Sequence, residues 1–258
     1  MRYFKFCTLL LLVTLFTNCK TKNNPTENPS TALRFEEHTL NKKSSTCDTD
    51  STRCAMVEAT YPIAVEGRPE AMQAVNDTIM EYIKMTLAFG EGVPKTAEEA
   101  ADSFIQSYET FIKDYPDSPA PWEIQTNGKV TYQSEKYISI EISNYSYAGG
   151  AHPNSFVNLL TFDANSGKKL TITDIVSDTA QLKQLAEVKF RAARELAPDA
   201  NLAEEGFFWD GPFMLSANFS ATGEGLYFVY NPYEAAAYAA GPTEFTISYE
   251  ELKGILKE

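Results

Sequence analysis

Hydrophobic and polar positions follow two periods along this chain, and the changes of period divide it into elements. Residues Cys54 to Val65 alternate with a period of two and predict a β-strand, for which Pro62 favours an edge position. Two helices follow, one beginning at Pro69 and one after a capping box of Thr96 and Glu99. Their apolar stripes are Met72, Val75, Ile79, Ile83 and Leu87 in the first, and Phe104, Tyr108, Phe111 and Tyr115 in the second.

The middle of the chain has mainly strand-like periodicity. The pair Asn127-Gly128 predicts a hairpin between strands at 122–126 and 129–134, because this dipeptide favours tight β-turns. Further strands are predicted at 137–147, with Ile138, Ile140 and Ile142 on one face, and at 155–163. A third helix follows Asp178, with the stripe Leu185, Val188, Ala192 and Leu196, and the last strands lie near 213–219 and 226–230.

Runs of helices are thus separated from runs of strands. This order predicts an α+β fold, with antiparallel sheets, helices packed on one face and two closely associated modules.

Two aromatic, glycine-marked segments interrupt the pattern, at 144–153 and 231–242. Gly149 and Gly150 suit a turn that needs positive φ or close backbone approach. Asn231 and Pro232 resemble a helix start, so residues 235–240 are predicted to form a short helix with Tyr233 and Tyr238 packed on the sheet. Contact of these tyrosines with a ligand is the alternative.

The N-terminus predicts export. Arg2 and Lys5 precede an apolar stretch at 6–16, which is shorter than the roughly 20 residues that span a bilayer. Cys19 follows in a segment that resembles a bacterial lipobox, so we expect residues 1–18 to be a lipoprotein signal peptide and Cys19 to carry the lipid. Residues 19–45 are predicted to be a flexible tether. The expected location is the bacterial cell envelope, periplasmic or surface-facing, with acyl chains in the bilayer.

The charge balance restricts the partners. The chain has 22 basic and 35 acidic residues, and removal of residues 1–18 takes away only Arg2 and Lys5, which leaves 20 against 35, a net charge of −15. Such a surface repels phosphate backbones, so nucleic acid is not an expected partner. It attracts cationic partners, although acidity also serves solubility alone.

Two cysteines, Cys47 and Cys54, remain for the folded part. The segment between them is polar and turn-like, and an exported protein permits a disulfide there. A metal half-site is the rival interpretation, but it needs further ligands and the chain has only the histidines His38 and His152. We therefore predict a Cys47–Cys54 disulfide, no metal site and no cofactor.

Several motifs occur in order and resemble the RsiV/PdaC-like extracytoplasmic proteins. The run Tyr147 to His152 resembles a turn of the N-terminal, PdaC-like module of that family. Residues that resemble the C-terminal module, a domain of unknown function (3298), are Phe162, Asp163, Gly167, Lys168, Leu170, Thr171, Asp174, Ile175, Asn218, Phe219, Gly225, Leu226, Phe228, 230–234, Tyr238, Ala239, Gly241, Pro242, Tyr249 and Leu252. The resemblance implies modules at 46–154 and 155–258.

Relatives in this family include the extracellular part of an anti-sigma factor that binds lysozyme and a portion of a peptidoglycan deacetylase. The matched motifs include neither a sigma-binding segment nor a metal-dependent catalytic domain, so neither activity is carried over. The resemblance implies a non-catalytic lipoprotein that binds or senses an envelope ligand, either a cationic protein such as lysozyme or peptidoglycan glycan.

A small peptidoglycan hydrolase that uses a carboxylate pair is the alternative. No catalytic residue is assigned, because His152 has no recognisable nucleophile motif beside it. The candidate ligand-binding residues are Tyr145, Tyr147, His152, Phe207, Trp209 and Tyr233. A purely structural role for these aromatic side chains in the core is an equally weighted interpretation.

Overall fold

The computed structural model describes residues 32–50, 52–90, 92–117 and 121–257. The predicted signal peptide, the lipidation of Cys19 and the first part of the tether lie outside these residues. The first sheet and its helices comprise β1 (Arg34–Lys43), β2 (Ala55–Glu66), α1 (Pro69–Leu87), α2 (Ala97–Asp114), β3 (Trp122–Gln133), β4 (Tyr137–Tyr147) and β5 (Asn154–Asp163). No helix in the described part of the chain is long and apolar enough to cross a membrane.

The α+β class is confirmed, with one parallel pair that the sequence did not predict. The first sheet has the order β1-β2-β3-β4-β5. Strands β2 and β3 run parallel, and the other neighbours are antiparallel. The parallel pair follows from the chain path, because α1 and α2 form the crossover between β2 and β3.

Both predicted helices pack on one face of this sheet. Val75, Ile79 and Ile83 of α1 are fully buried, as are Phe104 and Tyr108 of α2. On the sheet, the isoleucines of β4 meet them in the same hydrophobic core, as the alternation predicted: Ile138, Ile140 and Ile142. The predicted end of the apolar stripe of α2 is wrong, because Tyr115 is the residue after the helix and is exposed.

The hairpin predicted at Asn127-Gly128 is wrong, because β3 runs straight through both residues. A Cβ atom at Gly128 would lie 3.2 Å from Tyr61 Cβ and from Pro62 Cδ. Glycine here therefore permits close packing against β2. The edge position predicted from Pro62 is also wrong, since β2 lies between β1 and β3. The parallel ladder with β3 ends at Thr60, so Pro62 needs no N–H to donate there.

The tether predicted at 19–45 is wrong over its last part, because β1 lies within it. Its ten residues pair with β2 along their whole length, and Leu40 is the only one that is buried. A single buried position gives no visible period, so the pairing with β2, and not the local pattern, defines the strand. His38 is consequently part of the fold, with its ring 5.1 Å from that of Tyr61.

The disulfide predicted between Cys47 and Cys54 is present in the structure. It joins the 3₁₀ turn Ser45–Asp48, which follows β1, to the start of β2. The buried Ser44 hydroxyl accepts a hydrogen bond from the backbone N–H of Ala55 at 3.0 Å, and so closes the same loop from inside. Two independent contacts therefore hold β1 against β2 at this end of the sheet.

The second module consists of α3 (Ile172–Ile175), α4 (Thr179–Ala193), β6 (Phe219–Ala221), β7 (Gly225–Tyr230) and β8 (Thr243–Ser248). Its three strands form an antiparallel sheet in the order β6-β7-β8. The predicted strand near 213–219 begins only at Phe219, and residues 235–240 form no α-helix, with a 3₁₀ turn at Tyr238–Ala240. The predicted α4 stripe is out of phase: the buried residues are Leu182, Ala186 and Phe190, and Val188 is 64% exposed.

Two asparagine side chains join the second module to the edge of the first sheet. Asn231 Oδ1 accepts from the Val157 N–H at 2.7 Å, and Asn218 Oδ1 accepts from the Leu159 N–H at 2.7 Å. Both amide groups also donate to the Val157 carbonyl, at 3.0 and 2.8 Å. The two side chains therefore occupy the hydrogen-bonding positions of a sixth strand and close the β5 edge.

The predicted module boundary at residue 154 falls at the start of β5. It assigns β5 to the second module, but β5 pairs with β4 over ten residues and completes the first sheet. β5 is also the strand on which the second module rests, since the Thr161 hydroxyl accepts from the Ala221 N–H of β6 at 3.1 Å. The two modules meet along this strand.

Loss of the disulfide should lower thermal stability. Chain entropy for a loop of this length corresponds to about 2.5 kcal/mol, or a fall in melting temperature of about 5–10 °C for a chain of this size. We expect this fall in calorimetry of the Cys47→Ser/Cys54→Ser variant. Trypsin cuts after Arg53, so the two cysteine peptides should stay linked without reductant. Free alkylation of both thiols in unreduced protein would contradict the disulfide.

Replacing the edge asparagines should weaken the contact between the two modules and lower the free energy of unfolding. Asn218→Asp and Asn231→Asp keep the acceptor but place a carboxylate oxygen against the Val157 carbonyl, which loses a hydrogen bond and adds repulsion. Each change should cost about 1–3 kcal/mol in urea unfolding. The control Asn165→Asp lies in an exposed turn where Oδ1 only accepts a hydrogen bond, from Arg68. Equal, small effects at all three positions would contradict the role assigned to the two amides.

Candidate functional site

The face of the first sheet that points away from α1 and α2 is polar. Strand register places Glu58, Gln125, Tyr145 and Ser155 side by side across β2, β3, β4 and β5. One step along the strands, a second row comprises Thr60, Asn127, Ser143 and Val157. The alternation that buries isoleucines on one face of β4 thus presents amides, hydroxyls and a tyrosine on the other.

The second module covers part of this face and leaves a groove of about 470 Å³ beside it. The sheet forms the floor, and one wall comes from Val229, Asn231, Pro232, Pro242 and Glu244. The other lining residues are Glu58, Thr60, Gln125, Thr126, Asn127, Ser143, Asn144, Tyr145, Ser155, Phe156 and Val157. No lysine, arginine or histidine is among these described lining residues, so the two glutamates give the groove a negative charge.

Glu244 is fixed by a neighbouring strand. Its Oε2 accepts a hydrogen bond from the Tyr227 hydroxyl at 2.6 Å. Burial, and then this hydrogen bond, raise the pKa of Tyr227, so the hydroxyl remains a donor at neutral pH. One carboxylate on the groove wall is therefore held in place before any ligand arrives.

Arg194, after α4, holds the segment that carries this wall. Its guanidinium donates to the carbonyls of Ala240, Gly241 and Pro242, each at 2.9 Å, and to the Thr243 hydroxyl at 2.7 Å. Burial lowers the pKa of Arg194. The four contacts fix the backbone from residue 240 to the start of β8, and with it the position of Pro242.

The two aromatic, glycine-marked segments of the sequence meet in space. The His152 ring stacks on the Tyr238 ring with centroids 4.1 Å apart, and His152 Nε2 lies 3.5 Å from the Tyr233 hydroxyl. His152 Nδ1 lies 2.8 Å from the Pro153 carbonyl oxygen, which can only accept, so this nitrogen carries the proton. Tyr233 has a φ of 70° and its side chain is 54% exposed.

The third predicted segment, Phe207 to Trp209, lies against the second. The Phe208 N–H donates to the Ala235 carbonyl at 2.7 Å, and Phe207 pairs with Ala236 in an isolated bridge. Phe207 is buried, with its ring 5.2 Å from that of Phe190, so it packs in the core and offers no surface to a ligand. Trp209, in contrast, is 55% exposed and has a φ of 51°.

The six predicted ligand-binding residues therefore occupy different positions. Tyr145 lines the groove. His152 and Tyr233 lie together beyond it, Trp209 lies on the adjoining loop, and Phe207 is in the core. Tyr147 is half-buried and donates from its hydroxyl to the Gly150 carbonyl at 3.2 Å, which shapes the turn before His152.

Most of the groove was not predicted from the sequence. Gln125 and Asn127 were assigned to a hairpin, and Glu58 and Glu244 had no local motif. The available signal was the polar alternation along Trp122 to Lys129, which the Asn127-Gly128 pair obscured. Within the described residues, no group of three or more histidine, cysteine, aspartate or glutamate side chains could hold a metal ion.

Comparison with known proteins finds a match for each of the two parts of the chain. Residues 48–155 match the family model described as "Deacetylase PdaC", and residues 171–250 match "Protein of unknown function (DUF3298)". A curated relative, the peptidoglycan-N-acetylmuramic acid deacetylase PdaC of Bacillus subtilis, is 22% identical over 201 residues, which is 74% of this chain. The chain spans 42% of the length of that relative.

Two solved structures share the fold. A member of the DUF3298 family from Bacteroides fragilis has a TM-score of 0.71 and 20% identity, covering 89% of this chain and 96% of its own. A DUF3298 family protein from Pseudomonas aeruginosa has a TM-score of 0.66 and 20% identity, covering 87% and 94%. The matches therefore agree with a two-module description, a PdaC-like module at 48–155 followed by a DUF3298 module at 171–250.

Proposed function

We propose that this chain is a non-catalytic binding protein of the bacterial cell envelope, which holds its ligand in the groove between the two modules. The observation that carries the proposal is the groove itself, about 470 Å³ of open space lined by apolar side chains, amides, hydroxyls and two carboxylates, with a tyrosine in its floor. Pockets of this size, with a few fixed polar groups, are the usual sites of recognition.

A cationic envelope protein is the ligand that these charges favour, and lysozyme is the first probe. Glu58 in the floor and Glu244 in the wall face a ligand with no basic side chain to neutralise them among the lining residues. The net charge of −13 acts in the same direction over a longer range, because it steers cations towards the protein. The exposed Trp209 and Tyr233 supply apolar contact area on the adjoining loops.

Peptidoglycan glycan is a second candidate, favoured by the relative that is named as a peptidoglycan deacetylase. Hydroxyl and amide groups beside a tyrosine, as in the row through Gln125 and Tyr145, suit the hydroxyls and faces of sugar rings.

The groove gives less support to a hydrolase. Two carboxyl groups with strongly lowered pKa values, Asp174 and Glu251, lie outside the groove. Hydrogen bonds from Lys168 and Thr171 lower the pKa of Asp174. Hydrogen bonds from Lys189 and Ser248 lower the pKa of Glu251 to about 2. General acid catalysis by a glycosidase needs a carboxyl group with a raised pKa. Both observed groups are stabilised as anions.

Binding to lysozyme should depend on the groove and on ionic strength. Tyr145→Ala should weaken the affinity about tenfold or more, as for a buried aromatic contact. Glu58→Gln should weaken it less, mainly by slowing association, and should reduce the dependence on salt. Titration calorimetry and surface binding kinetics, at low and high salt, measure both effects. The same binding measurements with muropeptides and glycan strands test peptidoglycan as the ligand.

Matched controls lie on the helix side of the sheet. Tyr115→Ala removes an exposed tyrosine and Glu81→Gln an exposed carboxylate, so both should bind as the wild type does. Binding that is lost equally in the control variants would place the ligand elsewhere. Hydrolysis of peptidoglycan by the pure protein, abolished by one carboxylate change, would overturn the non-catalytic proposal.

The proposed location is the cell envelope, with an acyl anchor on Cys19. Growth with a clickable fatty acid should label the wild-type protein, and Cys19→Ser should lose the label, since the thiol is the acceptor. Cys7→Ser is the control and should be labelled normally. Equal labelling of the Cys19→Ser protein would contradict the anchor.

A further inference from the structure

The outer edge of β1 is an open edge of the first sheet. β1 is its end strand, ten residues long, and among the described residues it pairs only with β2. Within the described residues, no hydrogen bond from a loop or a side chain reaches the backbone of residues 34–43. Nine of its ten side chains are exposed or half-buried. A long strand with an open edge is a template for another strand.

The two edges of this sheet are treated differently. At β5, Asn218 and Asn231 satisfy the outward N–H groups of Val157 and Leu159 and the Val157 carbonyl, at 2.7–3.0 Å. At β1 none of the other described residues provides such cover, and the strand has neither a proline nor a glycine to interrupt it. The contrast indicates that β1 is available for pairing with a strand from outside the molecule.

The charges of β1 favour a particular partner. Glu36 and Glu37 lie in its first half, and Lys42 and Lys43 lie at its end. Such a strand complements itself when a second copy runs antiparallel to it. We propose that β1 pairs with β1 of a second copy of this chain across a two-fold axis, which joins the two five-stranded sheets into one continuous sheet.

Geometry limits the register. A two-fold axis perpendicular to the sheet keeps the helices of both copies on one side, so opposed residues must point to the same face. An axis through Thr39 satisfies this condition and pairs residues 35–43 in full. It places Glu36 opposite Lys42 of the second copy, twice per dimer, and Thr39 opposite itself. An axis through Leu40 would pair only residues 37–43.

The present contacts of these side chains do not oppose the pairing. Lys42 Nζ lies 2.8 Å from Asp102 Oδ1, and the side chains are 35% and 61% exposed. Glu36 contacts Arg34, and its side chain is 61% exposed. Exposed ion pairs of this kind are weak, and an ammonium group has three N–H donors, so Lys42 can contact Asp102 and Glu36 of the second copy together.

Charge reversal tests the partner. Sedimentation equilibrium of the purified full-length protein is measured at protein concentrations up to about 1 mM. This range covers the effective concentration of two copies that are anchored close together on one membrane. The wild type should dimerise, Glu36→Lys and Lys42→Glu should each weaken the dimer about tenfold, and the double variant should restore it. The control Glu135→Lys, in the β3–β4 turn, should dimerise as the wild type does. A wild type that stays monomeric throughout, or a double variant no better than the single ones, would overturn the proposal.

A cysteine scan tests the register. With the axis at Thr39, Thr39→Cys places two thiols directly opposite each other, so mild oxidation should link two chains rapidly. The Glu37→Cys variant should remain unlinked over the same time. Peptide mapping identifies the linked residue and separates it from links through the native cysteines. Linking through residue 37 as fast as through residue 39, or no linking at either, would contradict the self-paired edge.

Discussion

The contact of two asparagine amides with the β5 edge is the interaction on which the rest of this structure depends. Asn218 and Asn231 satisfy the outward N–H groups of Val157 and Leu159 and the carbonyl of Val157. An edge left open beneath a second module would bury unsatisfied backbone groups, which is costly. The amides remove that cost and at the same time fix where the second module lies. Because Asn231 also lines the groove, the contact that joins the modules shapes the candidate site.

The rest of the wall follows from this contact in short steps. Asn231 is followed by Pro232, and the backbone N–H of Asn231 donates to Glu234 Oε2 at 2.8 Å, which tightens the turn that carries Tyr233. The far side of the wall is held by Arg194 through the carbonyls of residues 240–242. Between these two points lie Tyr233 and Tyr238, which meet His152 from the first module. The groove is thus bordered by segments anchored at both ends, so its shape is set before a ligand binds.

The sequence could predict the elements whose period is strong and whose contacts are local. α1, α2 and β4 belong to this class, because their stripes of valine, isoleucine and phenylalanine are read from neighbouring positions. The disulfide also belongs to it, since seven positions separate its cysteines. Where a local motif competed with a distant contact, the prediction failed. Asn127-Gly128 favours a turn, yet the packing of Gly128 on Tyr61 and the long ladder with β4 keep the strand straight. Asn231-Pro232 favours a helix start, yet the amide binds β5 instead. The groove was missed for the same reason, because Glu58, Gln125 and Tyr145 become neighbours only through strand register.

The most direct measurement is amide hydrogen exchange at Val157 and Leu159. Both N–H groups point away from β4, so only the asparagine side chains can protect them. The reference is the backbone amide of Asn158, which points towards β4 and is protected by the sheet. The structure predicts that the Val157 and Leu159 amides exchange about as slowly as this amide. Their exchange requires the second module to detach from β5. Exchange of Val157 and Leu159 as fast as in an unpaired edge strand, with Asn158 still protected, would contradict the edge closure and the position of the groove that depends on it.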